Sequence, residues 1–114
     1  MERKIDKLGR FGIPLDWNDR LNLKPGNPQK EPGPESAVEI SIEYGNISIK
    51  KFQPNQISQR PYVGIVRYID KGNRVSIPSE FLKVLGLKPG MLMELAIKPK
   101  IEGTEAIYLK PKKV

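Results

Sequence analysis

The sequence predicts a mostly β fold with short helices, assembled from two ββαββ units that share one core. Three observations carry this. Residues 3–26 recur at 67–90 without a gap, and twelve of the 24 paired positions are identical. Segments such as Val38–Glu43 and Ile47–Lys50 alternate apolar and polar residues strictly, the pattern of strands with one buried face. Gly, Asn and Pro punctuate both copies at matching places, which marks turns and element ends. A chain of 114 residues leaves roughly 50 per unit, too few to bury a comfortable core alone. The repeats are therefore expected to bury surface against each other.

Each copy opens with a short strand, around Ile5 in the first and over Gly64–Ile69 in the second. The strand ends in a turn at Gly9, or at Gly72 and Asn73, residue types that accept positive φ and suit a tight hairpin. A second strand follows over 10–13 and 74–77, and Pro14 and Pro78 end it, because proline lacks a ladder N–H yet suits a first helical turn. The helix is expected at Asp16–Leu21 and Ser79–Leu85, with Asp16 or Ser79 as N-cap. Asn22 and Gly86 come next, and both accept the left-handed conformation that closes helices. Lys-Pro-Gly at 24–26 and 88–90 then makes a turn, Pro setting φ and Gly supplying a positive one. A second hairpin completes each unit: Val38–Glu43 and Ile47–Lys50 around a turn at 44–46, and Met91–Ile97 and Ala106–Lys110 around a longer turn at 99–104. Residues 27–36, rich in Pro, Gly and charge, are absent from the second copy and read as a mobile surface loop. Residues 53–62 read as a linker, so the organisation is a first repeat over 1–52, the linker, and a second repeat over 63–114.

Twenty Lys and Arg against thirteen Asp and Glu give a net charge of +7, which favours a polyanionic partner. The surplus is uneven, with nine basic and eight acidic residues in 1–52 but ten and five in 64–114. A charged face is thus expected to be dominated by the second repeat. There is no Cys and no His, which removes disulfides, thiolate nucleophiles, Cys/His zinc sites and imidazole acid–base chemistry. With no phosphate loop or metal cluster either, an enzyme is not expected, and no cofactor is implied. The N-terminal stretch never reaches an apolar signal core, and no run approaches the roughly 18 apolar residues of a membrane span. A soluble cytoplasmic protein is the expectation.

The run from Gly64 through Arg67, Asp70, Arg74, Pro78 and Glu80 to Leu87 resembles the AbrB/MazE/SpoVT family, whose signature orders Gly, Arg, Asp, Gly, Arg, Pro and Glu in this way. The first copy resembles the same signature through Arg3, Ile5, Asp6, Gly9, Arg10, Ile13 and Pro14. The resemblance implies a swapped-hairpin β-barrel in which two ββαββ units interleave, here within one chain as a pseudo-dimeric monomer, or as a homodimer by exchange of repeats. It also implies binding of double-stranded DNA and transcription regulation at the nucleoid. The arginines that match the family's DNA-contacting positions are Arg67 and Arg74 in the second copy and Arg3 and Arg10 in the first. Lys83 matches one of the family's two basic helix residues, whereas Leu82 replaces the other and the first copy has Asn18 and Asp19 there.

Lys7 and Lys71 join this set from the turns. Arginine suits the task because its planar fork grips phosphate oxygens or a guanine edge with paired hydrogen bonds. Together the set offers about four to seven ionic contacts, enough for a steep loss of affinity with salt. Against this stands the reading that these are solvated strand charges; the duplicated spacing favours the site. Asp6 and Asp70 are expected to accept backbone N–H groups of their turns rather than act as acids. Trp17 and Phe81 are expected in the core, although with Tyr62, Tyr68 and Tyr108 they are the aromatics available for stacking on single-stranded bases. Met91 and Met93 are expected to fill core or interface, and the Lys110–Lys113 tail to be a short basic cluster. Two rivals to a DNA-binding regulator remain open. One is an antitoxin with a toxin as protein partner, since MazE-like antitoxins are similar here, although a long toxin-wrapping tail is not evident. The other is a module that keeps the fold and has lost the site.

Overall fold

The computed structural model describes residues 1–26, 33–52, 64–99 and 105–112. The expected linker at 53–62, the body of the insertion at 27–32, Tyr62 and most of the 99–104 turn lie outside the described residues.

Each copy begins with a short strand, β1 (Glu2–Lys4) or β5 (Ile65–Tyr68), and turns into a second, β2 (Arg10–Gly12) or β6 (Arg74–Ser76). The aspartates organise the turns as expected. Asp6 Oδ1 accepts the N–H groups of Leu8 and Arg10 at 2.9 and 2.8 Å, and Asp70 Oδ1 those of Gly72 and Arg74, both at 2.9 Å. Gly9 and Asn73 sit at the same place in the two turns with φ of 77° and 60°, a conformation that Gly adopts freely and Asn tolerates.

Helices α1 (Leu15–Leu21) and α2 (Ser79–Leu85) follow. Neither Asp16 nor Ser79 caps them: the N-cap places belong to Pro14 and Pro78, with no side-chain cap bond. Their carbonyls instead accept the first helical N–H groups, Trp17 N–H to Pro14 O and Phe81 N–H to Pro78 O, each at 3.0 Å. Both helices end as expected, at Asn22 (φ 56°) and Gly86 (φ 67°). The two Lys-Pro-Gly turns differ. Gly90 takes the expected positive φ of 87°, whereas a Cβ on Gly26 would lie 2.6 Å from the Ile69 carbonyl oxygen. Glycine is required at 26 for close approach, not for its φ.

The described end of the insertion departs from the expected surface loop. Its last residues form a single 3₁₀ turn, Pro34–Ser36. Ser36 is buried, its hydroxyl donates to Lys24 O at 2.7 Å, and its carbonyl accepts the Ile69 N–H at 2.9 Å. The matching bond in the other half runs from Ile5 N–H to Met91 O at 3.0 Å. The insertion thus ends in a residue with a fixed role in the sheet margin.

The second hairpins are β3 (Ala37–Glu43) with β4 (Asn46–Lys51), and β7 (Leu92–Pro99) with β8 (Glu105–Pro111). Among the described residues these form a six-stranded antiparallel sheet in the order β1-β7-β8-β4-β3-β5, while β2 and β6 pair separately. Each repeat therefore lends its first strand to the other repeat's second hairpin: Arg3 lies opposite Met93, and Arg67 opposite Val38. The sheet is open, with β1 and β5 at its edges.

Equivalent residues meet at two places, which locates a pseudo-twofold axis. Phe11 pairs with Val75 in the β2·β6 ribbon, and Ser48 pairs with Tyr108 at the middle of the sheet. The bonds around the axis are reciprocal, Ile13 N–H to Asn73 O and Ile77 N–H to Gly9 O, both 2.9 Å. One contiguous core joins the halves. It holds Phe11 and Val75 from the ribbon, Leu21 from α1, and Ile40, Ile49, Met93, Leu95 and Ile107 from the sheet, with Trp17 and Phe81 packed against it. Met93 is buried in the core as expected, whereas Trp17, Phe81 and Met91 are half-buried at its margin. No helix among the described residues is long and apolar enough to cross a membrane.

Candidate nucleic-acid interface

The ribbon follows a period of two, so the burial of Phe11 and Val75 turns Arg10, Gly12, Arg74 and Ser76 to the opposite face. In its register Arg10 lies opposite Ser76 and Arg74 opposite Gly12. Two arginines from different repeats thus share one outer face, on either side of the pseudo-twofold axis. Two glycine-sized or small neighbours leave that face open around them.

The two arginines are held unequally. Arg10 Nε donates to Asp6 Oδ2 at 2.8 Å, and its Nη1 lies 3.5 Å from Asp70 Oδ2, so it spans the carboxylates of both turns. Its side chain is 23% exposed. Arg74 is 40% exposed and has its Nε 3.3 Å from Asp70 Oδ2. That nitrogen is buried and makes no hydrogen bond, so the contact is an ion pair without hydrogen-bond alignment. The Arg74 side chain lies over Gly72, where a Cβ would come 2.9 Å from Nε. The Asp6 carboxyl is held below the ordinary carboxylate range chiefly by the Arg10 backbone N–H; burial opposes this, and the Arg10 guanidinium and the Leu8 N–H add to the lowering.

Arg3 on β1 donates through Nη1 to Glu2 O at 2.9 Å, and its Nε lies 4.0 Å from where a Gly12 Cβ would be. It therefore reaches the ribbon beside Arg74. Arg67 holds the equivalent place on β5, half-buried, with Nη1 donating to Val66 O at 3.1 Å. Lys7 and Lys71 are exposed on the two turns, and Lys83 is exposed on α2. Strand exchange places each helix against the turn of the other repeat. Leu82 Cδ1 lies 3.1 Å from the Cβ position of Gly9, and the Asn18 and Asn73 side-chain amides bond to each other at 2.8 and 2.9 Å. Lys83 consequently flanks the first repeat's turn, and the acidic Asp19 flanks the second's.

Four other cations pair with carboxylates away from this face. Arg20 pairs with Glu105 at 2.7 Å, Lys50 with Glu39 at 3.4 Å, Lys110 with Glu94 at 3.9 Å, and Lys112 with Glu2. The described tail lysines thus bind carboxylates of the sheet. Tyr68 is half-exposed beside Arg67. Tyr108 hydrogen-bonds Glu43 at 2.9 Å, and burial, then Glu43, pushes its phenol up. The Asp–Arg pairs are the part of the site that sequence reasoning missed, although the aspartate four residues before the arginine recurs at 6/10 and 70/74. What the arrangement offers is a ribbon presenting guanidinium forks for anionic oxygens, flanked by lysines on two turns. No protein-family model, curated protein or solved structure matches the chain.

Proposed function

We propose that the protein is a DNA-binding transcription regulator of the AbrB type, applying the β2·β6 ribbon and its two turns to duplex DNA at the nucleoid. The observation that carries this reading is the convergence of Arg10 and Arg74, from different repeats, on one outer ribbon face, with Arg3 beside them. A two-stranded ribbon fits the major groove of B-DNA, and arginine forks grip either guanine edges or phosphates. The twofold relation of the two turns suits a duplex, whose backbones are themselves related by twofold axes. The exchange of first strands between the repeats supports assigning the fold to the swapped-hairpin type, in its intrachain form.

Fluorescence anisotropy of a labelled AT-rich duplex, titrated at several salt concentrations beside a single-stranded control, tests the reading. Sub-micromolar duplex binding that weakens steeply with salt is expected. The variant R67A/R74A is expected to weaken it roughly 30- to 100-fold near 100 mM salt and to make the log–log salt dependence shallower by about 2, with the thermal transition little changed. No binding at low salt, or unchanged affinity in that variant, would overturn it.

A further inference from the structure

The two halves of the molecule are not copies of each other where they touch. The helix of one repeat meets the turn of the other twice, and the two meetings use different chemistry. On one side Asn18 and Asn73, both buried, exchange side-chain hydrogen bonds of 2.8 and 2.9 Å, and Asn73 also donates to Ile13 O at 2.8 Å. On the other, the equivalent residues are Leu82 and Gly9, where a Cβ on Gly9 would come within 3.1 Å of the leucine. The pseudo-twofold axis shows the same inequality. It passes through Phe11 against Val75, both fully buried, and through Ser48 against Tyr108. At each site a large or amide side chain faces the one residue that complements it.

We propose that these contacts form a pairing code, by which a first repeat accepts only a second repeat as its partner. Two topologies open to a pair of these chains are thereby distinguished. Pairing of unlike repeats, within a chain or exchanged between two copies, keeps all the matches. Pairing of like repeats, first on first and second on second, breaks them. Two first repeats would set each Asn18 against a Gly9, leaving two buried amides without their partner. Two second repeats would set each Leu82 against an Asn73. Each orphaned amide disfavours the assembly roughly tenfold. Like pairing also puts two phenylalanines into space shaped for one Phe and one Val, or leaves two valines underfilling it, and cores tolerate neither. The code rests on the fold alone and is independent of what the arginine face binds.

Both parts of the code are open to test in the full-length chain. N18L and N73G alone are each expected to raise the unfolding equilibrium constant about tenfold or more. The double variant N18L/N73G recreates the Leu–Gly contact already present on the other side, and is expected to recover at least half of the combined loss on a logarithmic scale; purely additive losses would overturn the complementarity. The chain has no cysteine, so S48C introduces a single thiol on the pseudo-twofold axis. Paired residues on antiparallel strands have Cα atoms within disulfide range. After refolding at high concentration with a glutathione redox couple, S48C/Y108C is expected to form the 48–108 bond. S48C alone is expected to give under a tenth of its chains as 48–48 linked dimers. A high yield of 48–48 dimers would show like repeats meeting and would sink the proposal.

Discussion

Arg10 and Arg74 occupy equivalent positions, yet their surroundings give them different work. Arg10 ties Asp6 of its own turn to Asp70 of the other repeat, so removing it leaves Asp6 without its guanidinium partner and breaks the link between the two turns. Arg74 is more exposed and holds a single, poorly aligned carboxylate. R10A is accordingly expected to cost about 1–1.5 kcal/mol in urea unfolding and R74A about 0.5 kcal/mol or less, since a networked ion pair with hydrogen bonds is worth more than an exposed one. Equal losses would contradict this division. Protonation of Asp6 provides a second test. Its folded pKa lies below its unfolded value of about 3.9, so its contribution to stability is complete above that value and is lost as pH falls through the lower folded one. Thermal midpoints of the wild type should therefore fall more steeply than those of D6N as pH drops from about 5 to 2; parallel curves would show that Asp6 carries no such contribution.

The β3–β4 turn carries a cost visible in its backbone. Tyr44 and Gly45 both have positive φ, 53° and 78°, the signature of a two-residue type I′ turn. Asn suits the first of these positions, whereas a bulky aromatic there is strained. Tyr44 is 95% exposed and so gains little from packing. Y44N is expected to raise stability by about 0.5–1 kcal/mol in chemical denaturation; a loss would show that the ring is held by something worth more than its strain. Element identity was legible because strict alternation in Val38–Glu43 and the Gly, Asn and Pro punctuation act locally. What escaped depends on partners distant in the chain. Pro14 and Pro78 displace Asp16 and Ser79 from the cap because their carbonyls lie in line with the first helical N–H groups. Gly26 is fixed by the Ile69 carbonyl, and Ser36 is ordered by Lys24 and Ile69, contacts that no local pattern encodes.

The largest feature hidden from local sequence reading is which strand pairs with which. Repetition implies two similar units, but a hairpin that folds back on its own unit and one exchanged with its neighbour bury similar residues in the same alternating pattern. Only the resemblance to an interleaved family pointed to exchange; the register of Arg3 with Met93 and Arg67 with Val38 is what establishes it in this chain. The candidate site inherits the same limit. Its arginines could be read from the duplicated spacing, while their convergence on one ribbon, and the crossing of Lys83 and Asp19 to the opposite turns, exist only once the strands are exchanged. Exchange also has a thermodynamic consequence. Neither repeat holds a core of its own, because Phe11, Leu21, Met93 and Ile107 belong to one cluster, so neither can unfold without exposing the other's apolar face. The single tryptophan, Trp17, packs against this cluster from the first repeat, whereas the buried Ile69 belongs to the second. I69A should remove about 2–5 kcal/mol of stability, and it should shift the Trp17 fluorescence transition in urea by the same amount as the far-UV circular dichroism transition, with the two curves coincident. If the fluorescence midpoint stayed in place while the dichroism transition split, each repeat would be folding as a separate unit, and the shared core would not be what stabilises the molecule.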